Sequence, residues 1–261
     1  MKFKDRVAIV TGSGQGIGRA IAYRLASGGA SVIISDKNLR TAEQTAEEIR
    51  KAFNTRTYSV ATDVRKRDDV YNLIKFTVEN FGRINILVNN AGICPLTKVQ
   101  DITQEEWDEV LEVNLRGGFF CCQAVTPIMK KQREGKILNI ASTAGNYGAG
   151  FAGFHYSASK AGLICLTKDF AKELASFGVN VNAIAPGPID TPLSRSLPAE
   201  ARDAFVKRTQ GWLGVPEDVA DAAEFLLSDA AKTITGRTIE VNAGLIGIVG
   251  GFAGGSDSRD S

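Results

Sequence analysis

Tyr156 and Lys160 stand four residues apart, inside a stretch whose apolar periodicity predicts a helix over 155–177. Residues at that spacing share one helix face, one turn apart. A free phenol ionises near pH 10 and is a poor base at neutral pH. A cation about 4 Å away is worth up to about 4 kcal/mol at an effective dielectric of 20, which predicts a phenol lowered by about three pH units. A tyrosine so placed exchanges a proton with an alcohol or carbonyl oxygen near physiological pH. Pairs of this spacing are frequent, and most are a half-buried ring beside a solvated amine, so the neighbours decide. Ser142 follows the strand-like run Lys136–Ile140, and its hydroxyl can hold the substrate oxygen beside Tyr156. Its plainer role is that of a turn or capping serine. Asn114 sits on the otherwise apolar stripe Trp107, Val110, Leu111 and Leu115, where an unpartnered amide is costly. It either binds an ordered water linked to Lys160, giving a proton path to solvent, or is a satisfied core amide.

A second constellation points to a nucleotide. The first strand-like run ends in Thr11-Gly12-Ser13-Gly14-Gln15-Gly16-Ile17-Gly18, and an amphipathic helix follows at once. Such a turn lets backbone amides and a helix N-terminus face a pyrophosphate, which needs residues without a Cβ. The strict G-x-G-x-x-G pattern fails in every register; T-G-x-x-x-G-x-G stands, with Gly12, Gly16 and Gly18 in the fixed places. Asp36 closes the second strand eighteen residues after Gly18. A carboxylate there accepts both ribose hydroxyls of an adenosine and repels a 2′-phosphate. No cation lies in residues 13–15, although Lys37 follows Asp36, so NAD is expected over NADP. Asp63 and Val64 end the third strand region, where the acid can hold the adenine amino group and an amide its ring nitrogen; the alternative for Asp63 is a helix cap before 67–80. Asn89-Asn90-Ala91-Gly92 ends the fourth strand, where small residues and amides either bond a ribose or fix neighbouring loops.

The elements that must carry these residues alternate in type. Strand-like runs are Val7–Val10, Ser31–Ser35, Thr57–Val60, Ile84–Val88, Lys136–Ile140, Val179–Ile184 and Thr238–Val241. Several are nearly continuous apolar runs, as in strands covered on both faces. Helical periodicity runs through Ile17, Ala20, Ile21 and Leu25, and then 39–53, 67–80, 103–131, 155–177 and 216–228. The expected fold is α/β, a Rossmann-type doubly wound parallel sheet of about seven strands with helices on both faces. With no interior linker, residues 1–245 read as one dinucleotide-binding and catalytic domain. Residues 246–261 read as a glycine-rich C-terminal extension whose last six form a flexible tail.

Composition removes other classes. The 261 residues hold 44% hydrophobic and 23% charged side chains, as in soluble globular proteins. With 31 basic and 29 acidic side chains, no electrostatic footprint for nucleic acid is visible. No apolar run is long enough for a membrane span. One histidine argues against histidine-rich metal sites and histidine-based triads, and no metal is expected. Four cysteines without CxxC spacing and a start that runs directly into a buried strand suit a cytoplasmic protein.

Together these residues resemble the short-chain dehydrogenase/reductase family, in its single-domain branch, over residues 5–244. The resemblance rests on TGSGQGIG at 11–18, NNAG at 89–92, Asn114 before Leu-Arg-Gly, Ser142, Tyr156-Ser-Ala-Ser-Lys160, and Pro186-Gly187-Pro188-Ile189-Asp190-Thr191. It implies a catalytic set of Ser142, Tyr156, Lys160 and Asn114, and hydride transfer between a nicotinamide cofactor and a secondary alcohol or ketone. It further implies that Tyr156 and Lys160 meet the cofactor, Lys160 through the nicotinamide ribose, and that Ile189 and Thr191 contact the carboxamide in a loop opened by Pro186 and Gly187. A seven-stranded sheet and a homotetramer are implied as well. Two departures stand out: Ser142 and Tyr156 are one residue further apart than in the commonest loop, and Trp212 stands where relatives more often carry arginine. Substrate walls are expected from Cys94, Tyr147, Phe154 and Trp212, around Ser142 and Tyr156. Residues 191–213 read as a mobile lid. Its basic side chains suit an anionic substrate or a solvated helix face. An NADP-preferring ketone reductase and a non-catalytic nucleotide sensor on the same fold are the alternatives.

Overall fold

The computed structural model describes residues 1–148, 153–195, 199, 203 and 213–243. Strands and helices alternate as β1 (Val7–Thr11), α1 (Gly16–Ser27), β2 (Ser31–Asp36), α2 (Leu39–Phe53), β3 (Thr57–Ala61), α3 (Arg67–Phe81) and β4 (Ile86–Asn89). There follow α4 (Gln104–Leu111), α5 (Gly117–Gln132), β5 (Gly135–Ile140), α6 (Ala144–Tyr147), α7 (Phe154–Leu174), β6 (Val179–Pro186), α8 (Pro192–Arg195), α9 (Pro216–Leu227) and β7 (Thr238–Val241). Seven strands form one parallel sheet in the order β3-β2-β1-β4-β5-β6-β7. The chain winds outward from β1 to β3, then crosses back to lay β4 on the other side of β1. That reversal opens a crevice beyond the C-terminal ends of β1 and β4, where doubly wound sheets bind ligands.

The strands are buried on both faces because their side chains alternate between two cores. Ala8, Val10, Val32, Ile34, Ile86 and Val88 face α1 and α9, whose Ile21, Leu25, Val219 and Leu226 complete that layer. Ile9, Ile33 and Leu87 point the other way, into a layer with Leu73, Val125, Met129 and Leu174. Truncating a fully buried side chain such as Leu87 to alanine costs about 2–5 kcal/mol. Both faces of the sheet are thereby closed, and its strand ends are left to do chemistry.

Where the sequence pattern reads one helix over 103–131, the structure breaks it. A π turn at Glu112–Arg116 separates α4 from α5, and it carries Asn114 to a buried position. The cause is local. Gly117 lies so close to Val64 that a Cβ there would come within 2.7 Å of its side chain, and the Asn114 amide is bound to the backbone of Ile93. One extra residue in the turn re-aims the helix to satisfy both. The expected helix over 155–177 ends at Leu174 and closes with a 3-10 turn, Ala175–Phe177. The C-terminal extension lies outside the described residues, as does most of the expected lid.

Candidate active site

The glycine turn is built to expose backbone. Gly12 and Gly16 take φ of 61° and 58°, a region that side chains with a Cβ rarely occupy. A Cβ on Gly18 would sit 2.4 Å from Asn90 Nδ2 and 2.5 Å from the Gly12 carbonyl oxygen. Asn90 fills that place because its amide donates to the carbonyls of Thr11 and Gly12 at 3.0 and 2.8 Å. Of the two roles open to Asn90, ribose ligand or loop stitch, its side chain displays the second. Thr11, which the sequence reading passed over, completes the stitch: its hydroxyl oxygen accepts the Asn90 and Ala91 amides at 3.1 and 3.2 Å. Ser13 is turned inward, donating to the Val10 carbonyl and accepting the Ser35 amide. Its hydroxyl therefore braces β1 and β2, so the cofactor contact expected of Ser13 does not come from that hydroxyl.

At the start of α1, Gln15 occupies the cap position without a side-chain bond, and the first turn holds no acid. Uncapped amides at a helix N-terminus favour an anion. Thr191 and Pro192 arch over this turn, 3.7–3.8 Å from where a Gly16 Cβ would lie. The loop after β6 is thus brought against the glycine turn, with Ile189 and Thr191 both buried and Gly187 held by the Val241 carbonyl. Pro186 is the last residue of β6. These features fit a dinucleotide: the turn and α1 would hold its pyrophosphate, and the β6 loop would cover its nicotinamide end.

Two acids end neighbouring strands. Asp36 accepts the amides of Gly14 and Asn38, each at 3.0 Å and each on a different oxygen. The carboxylate is thereby oriented across the turn with acceptor capacity to spare. Asp63 is gripped by the Arg65 guanidinium, which holds its carboxyl below the ordinary range. Lys66, not Asp63, occupies the cap position of α3. Val64 is buried, its side chain packed into the second core layer and against Gly117.

The catalytic candidates meet at the same edge. Lys160 is buried, and its Nζ donates to the Ile140 carbonyl at 2.9 Å, two residues before Ser142. That Nζ lies 5.7 Å from the centre of the Tyr156 ring. The Ser142 oxygen accepts the Ala144 amide at 3.1 Å, and its hydroxyl is in hydrogen-bonding contact with the Tyr156 phenol. Thr143 donates instead to the Pro186 carbonyl, so it does not compete with Ser142 for that place. Gly145 explains the close approach: a Cβ there would be 2.7 Å from the Lys160 carbonyl carbon. Gly92 packs closely beside the ammonium, since a Cβ there would lie 3.2 Å from Asn114 Oδ1 and 3.4 Å from Lys160 Nζ.

Electrostatics at this corner differ from the sequence expectation. Burial pushes the Lys160 ammonium down to about 8. Burial also pushes the Tyr156 phenol up, against the smaller pull of Ser142, so the protein alone does not lower it. The reason is desolvation: the lysine's charge is aimed at a carbonyl, while the phenol loses water. A protonated phenol beside a protonated lysine is the resting arrangement at neutral pH.

Asn114 is committed as well. Its Oδ1 accepts the Ile93 amide at 2.8 Å, and its Nδ2 donates to the Ile93 carbonyl and to Ser159 at 2.9 and 3.1 Å. Both donors of that amide are used, so the side chain displays the satisfied-amide role rather than a water ligand. Cys94 follows in the same loop, half-buried and close enough to interact electrostatically with Tyr156 and Lys160. Burial raises its thiol to about 11, which keeps it unreactive. Tyr147 donates its hydroxyl to Glu240 of β7 at 2.8 Å, so its expected place in the substrate wall is corrected to a brace against the sheet edge. Phe154 opens α7 and is exposed. Trp212 lies outside the described residues.

Comparison with known proteins agrees with this geometry. A family model described as enoyl-(acyl carrier protein) reductase matches residues 12–246. A 3-oxoacyl-(acyl-carrier-protein) reductase from Staphylococcus epidermidis is 42% identical over 244 residues, covering 92% of this chain and 99% of its own. Among solved structures, levodione reductase superposes with a TM-score of 0.88 at 33% identity, over 93% of this chain and 98% of that one. The 3-ketoacyl-(acyl-carrier-protein) reductase of Brucella melitensis, complexed with NADH, gives 0.87 at 34%, over 93% and 99%. The chain belongs to the short-chain dehydrogenase/reductase family and is an oxidoreductase that acts on a CH–OH or ketone group with a nicotinamide cofactor.

Proposed function

We propose that this enzyme reduces a ketone, or oxidises the matching secondary alcohol, with NAD(H) in preference to NADP(H). The observation that carries the reading is the meeting of Ser142, Tyr156 and Lys160 at the strand ends that also hold the glycine turn. When bound there, the nicotinamide supplies a hydride to the carbonyl carbon, or accepts one from the alcohol. Ser142 holds the substrate oxygen, and Tyr156 donates its phenolic proton to that oxygen as negative charge develops on it. The phenol holds its proton at neutral pH, as this direction requires, and has to give it up to the more basic oxygen that forms on the substrate. Lys160, charged below about pH 8, stabilises the phenolate left behind. In oxidation the same groups act in reverse. Asn114 fixes the Ile93 end of the pocket loop and, through Ser159, the first turns of α7.

Asp36 supports NAD over NADP, since a carboxylate fixed at the end of β2 by the Gly14 and Asn38 amides would accept ribose hydroxyls and repel a 2′-phosphate. Lys37 is exposed beside it and keeps NADP as the competing reading. Relatives named for 3-oxoacyl substrates make a 3-oxo ester or thioester the first ketone to try. The reading also includes one domain over residues 1–245, a homotetramer and a cytoplasmic setting; sedimentation of the purified protein tests the assembly.

The deciding experiment follows nicotinamide absorbance over a panel of ketones and secondary alcohols, including ethyl acetoacetate and acetoacetyl-CoA, with both coenzymes. Turnover with a lower KM for NADH is expected, and Tyr156→Phe should abolish it while NADH binding survives. Bound nucleotide with no turnover across the panel would instead make the chain a nucleotide sensor. Near wild-type turnover in Tyr156→Phe would remove the mechanism.

A further inference from the structure

The chain's one histidine directly precedes Tyr156 and is completely buried. Its ring stacks on Trp107 of α4 at 6.2 Å between centres. On another side it lies against Gly153, where a Cβ would fall 1.9 Å from the imidazole Cε1. Both ring nitrogens are occupied. His155 Nδ1 accepts the backbone N–H of Tyr156 at 3.0 Å, and Nε2 lies 2.7 Å from Glu106 Oε1. An N–H can only donate, so Nδ1 must carry a lone pair and the single ring proton must sit on Nε2, donated to Glu106. The other Glu106 oxygen accepts the Thr97 hydroxyl at 2.9 Å.

This chain of contacts joins three parts that sequence leaves far apart. Helix α7 begins at Gly153 without a side-chain cap, so its first N–H groups lack regular helical partners. His155 supplies an acceptor to one of them, the N–H of Tyr156 itself, which also reaches the Gly153 carbonyl. Glu106 anchors the ring to α4. Thr97 ties the same carboxylate to the loop after β4, the loop that carries Ile93 and Cys94 and whose Pro95 carbonyl accepts the Gly153 amide. The turn that aims the phenol and the wall beside it therefore share one anchor.

We infer that His155, held in a single tautomer by Glu106, is a positioning residue that sets the Tyr156 phenol against Ser142 and Lys160 and couples it to the loop after β4 that carries Cys94 and Thr97. This rests on the reading of Tyr156 as proton donor, but the tautomer itself does not. Displacing a reacting group by about 1 Å can cost 100-fold in rate. His155→Leu is accordingly expected to lower kcat by about tenfold to 100-fold, with NADH affinity within about twofold, because the glycine turn is untouched. His155→Asn keeps an acceptor near Nδ1, and should recover most of the lost kcat. Glu106→Leu should lower kcat and raise the KM for the ketone together, because it frees the wall as well.

The test is steady-state kinetics of these variants, with the panel ketone that turns over fastest, beside nitrogen NMR of protein labelled at histidine. With one histidine the spectrum is unambiguous. Wild type should show one protonated and one bare ring nitrogen at neutral pH, with the proton on Nε2, and Glu106→Leu should disturb that pattern. Wild-type kcat in His155→Leu, no recovery in His155→Asn, or a proton on Nδ1 would each overturn the inference. Should His155→Leu fail to fold, His155→Asn against Glu106→Leu carries the kinetic comparison. Activity surviving in Tyr156→Phe would defeat the proton-donor reading instead, leaving the NMR result to judge the His155–Glu106 contact on its own.

Discussion

The nucleotide side of the crevice and the catalytic side solve positioning differently. Between β1 and β2 the working surface is backbone: glycines remove Cβ atoms, and polar side chains such as Ser13 and Asn90 face inward to hold the turn. Around α7 the working surface is side chain, and each group is held by a partner distant in sequence. Lys160 is aimed by Ile140, Asn114 by Ile93, and Tyr156 is backed by His155 and Glu106. A backbone surface tolerates exchange of neighbouring side chains but not an added Cβ. A side-chain surface tolerates the reverse. Gly145 is the place where the two rules meet, since its missing Cβ lets the Ser142 turn touch the Lys160 backbone.

That contrast can be broken at either end. The largest effect is expected on the catalytic side: Lys160→Met should lower kcat/KM by about 1000-fold, or about 4 kcal/mol, measured by steady-state kinetics. A loss under tenfold would mean that the buried ammonium is structural only. On the nucleotide side, Gly18→Ala forces a Cβ against the Gly12 carbonyl. NADH affinity should weaken by about 100-fold, or roughly 2.7 kcal/mol, in a fluorescence titration. Unchanged affinity would show that the turn can shift and that backbone approach is not what the glycine secures. A smaller change separates the coenzymes. Asp36→Asn should move the NADP-to-NAD preference by about tenfold, near 1.4 kcal/mol, read from the two KM values; an unmoved ratio would assign the choice to another residue.

The smallest effect concerns stability. Lys160 is lowered to about 8 by burial, whereas an unfolded lysine titrates near 10.5. Between those values the unfolded chain binds more protons, so this group makes the protein more stable as pH rises from about 8 towards 10.5. Below about pH 8 both states are protonated, and its contribution is constant. The slope is at most about 1.4 kcal/mol per pH unit. Subtracting Lys160→Met from wild type in urea titrations between pH 8 and 10 isolates it. A difference without slope would mean that the ammonium is not desolvated as its position implies.

Much of this is legible in the amino-acid sequence. The strand runs carried the sheet because a strand covered on both faces has to be apolar throughout. Thr238–Val241 matches β7 residue for residue, and 39–53 matches α2. Boundaries failed where tertiary contacts override periodicity: the reading of 103–131 as one helix missed the π turn, which exists to satisfy Ile93 and to clear Val64. The site shows the same division. Gly12, Gly16, Gly18 and Asp36 were found from local spacing, since a turn and the strand beside it are specified within a few residues. The stitch that Thr11 makes to Asn90 and Ala91, the fit of Gly145 against Lys160 and the pairing of His155 with Glu106 were not, because their partners lie between 15 and 80 positions away in the chain.

The sequence alone determined the order of strands and helices, the glycine turn and which side chains are able to exchange a proton. Each of those follows from residue type and short-range spacing. Only the folded chain decided what those side chains do at rest. It turned Ser13 inward, spent the Asn114 amide on Ile93 and moved Tyr147 to Glu240. It also raised the phenol that spacing alone would have lowered. The physical reason is common to all four: hydrogen-bond partners and loss of water are set by what packs from elsewhere in the chain, and inside a protein they outweigh a charge one helical turn away.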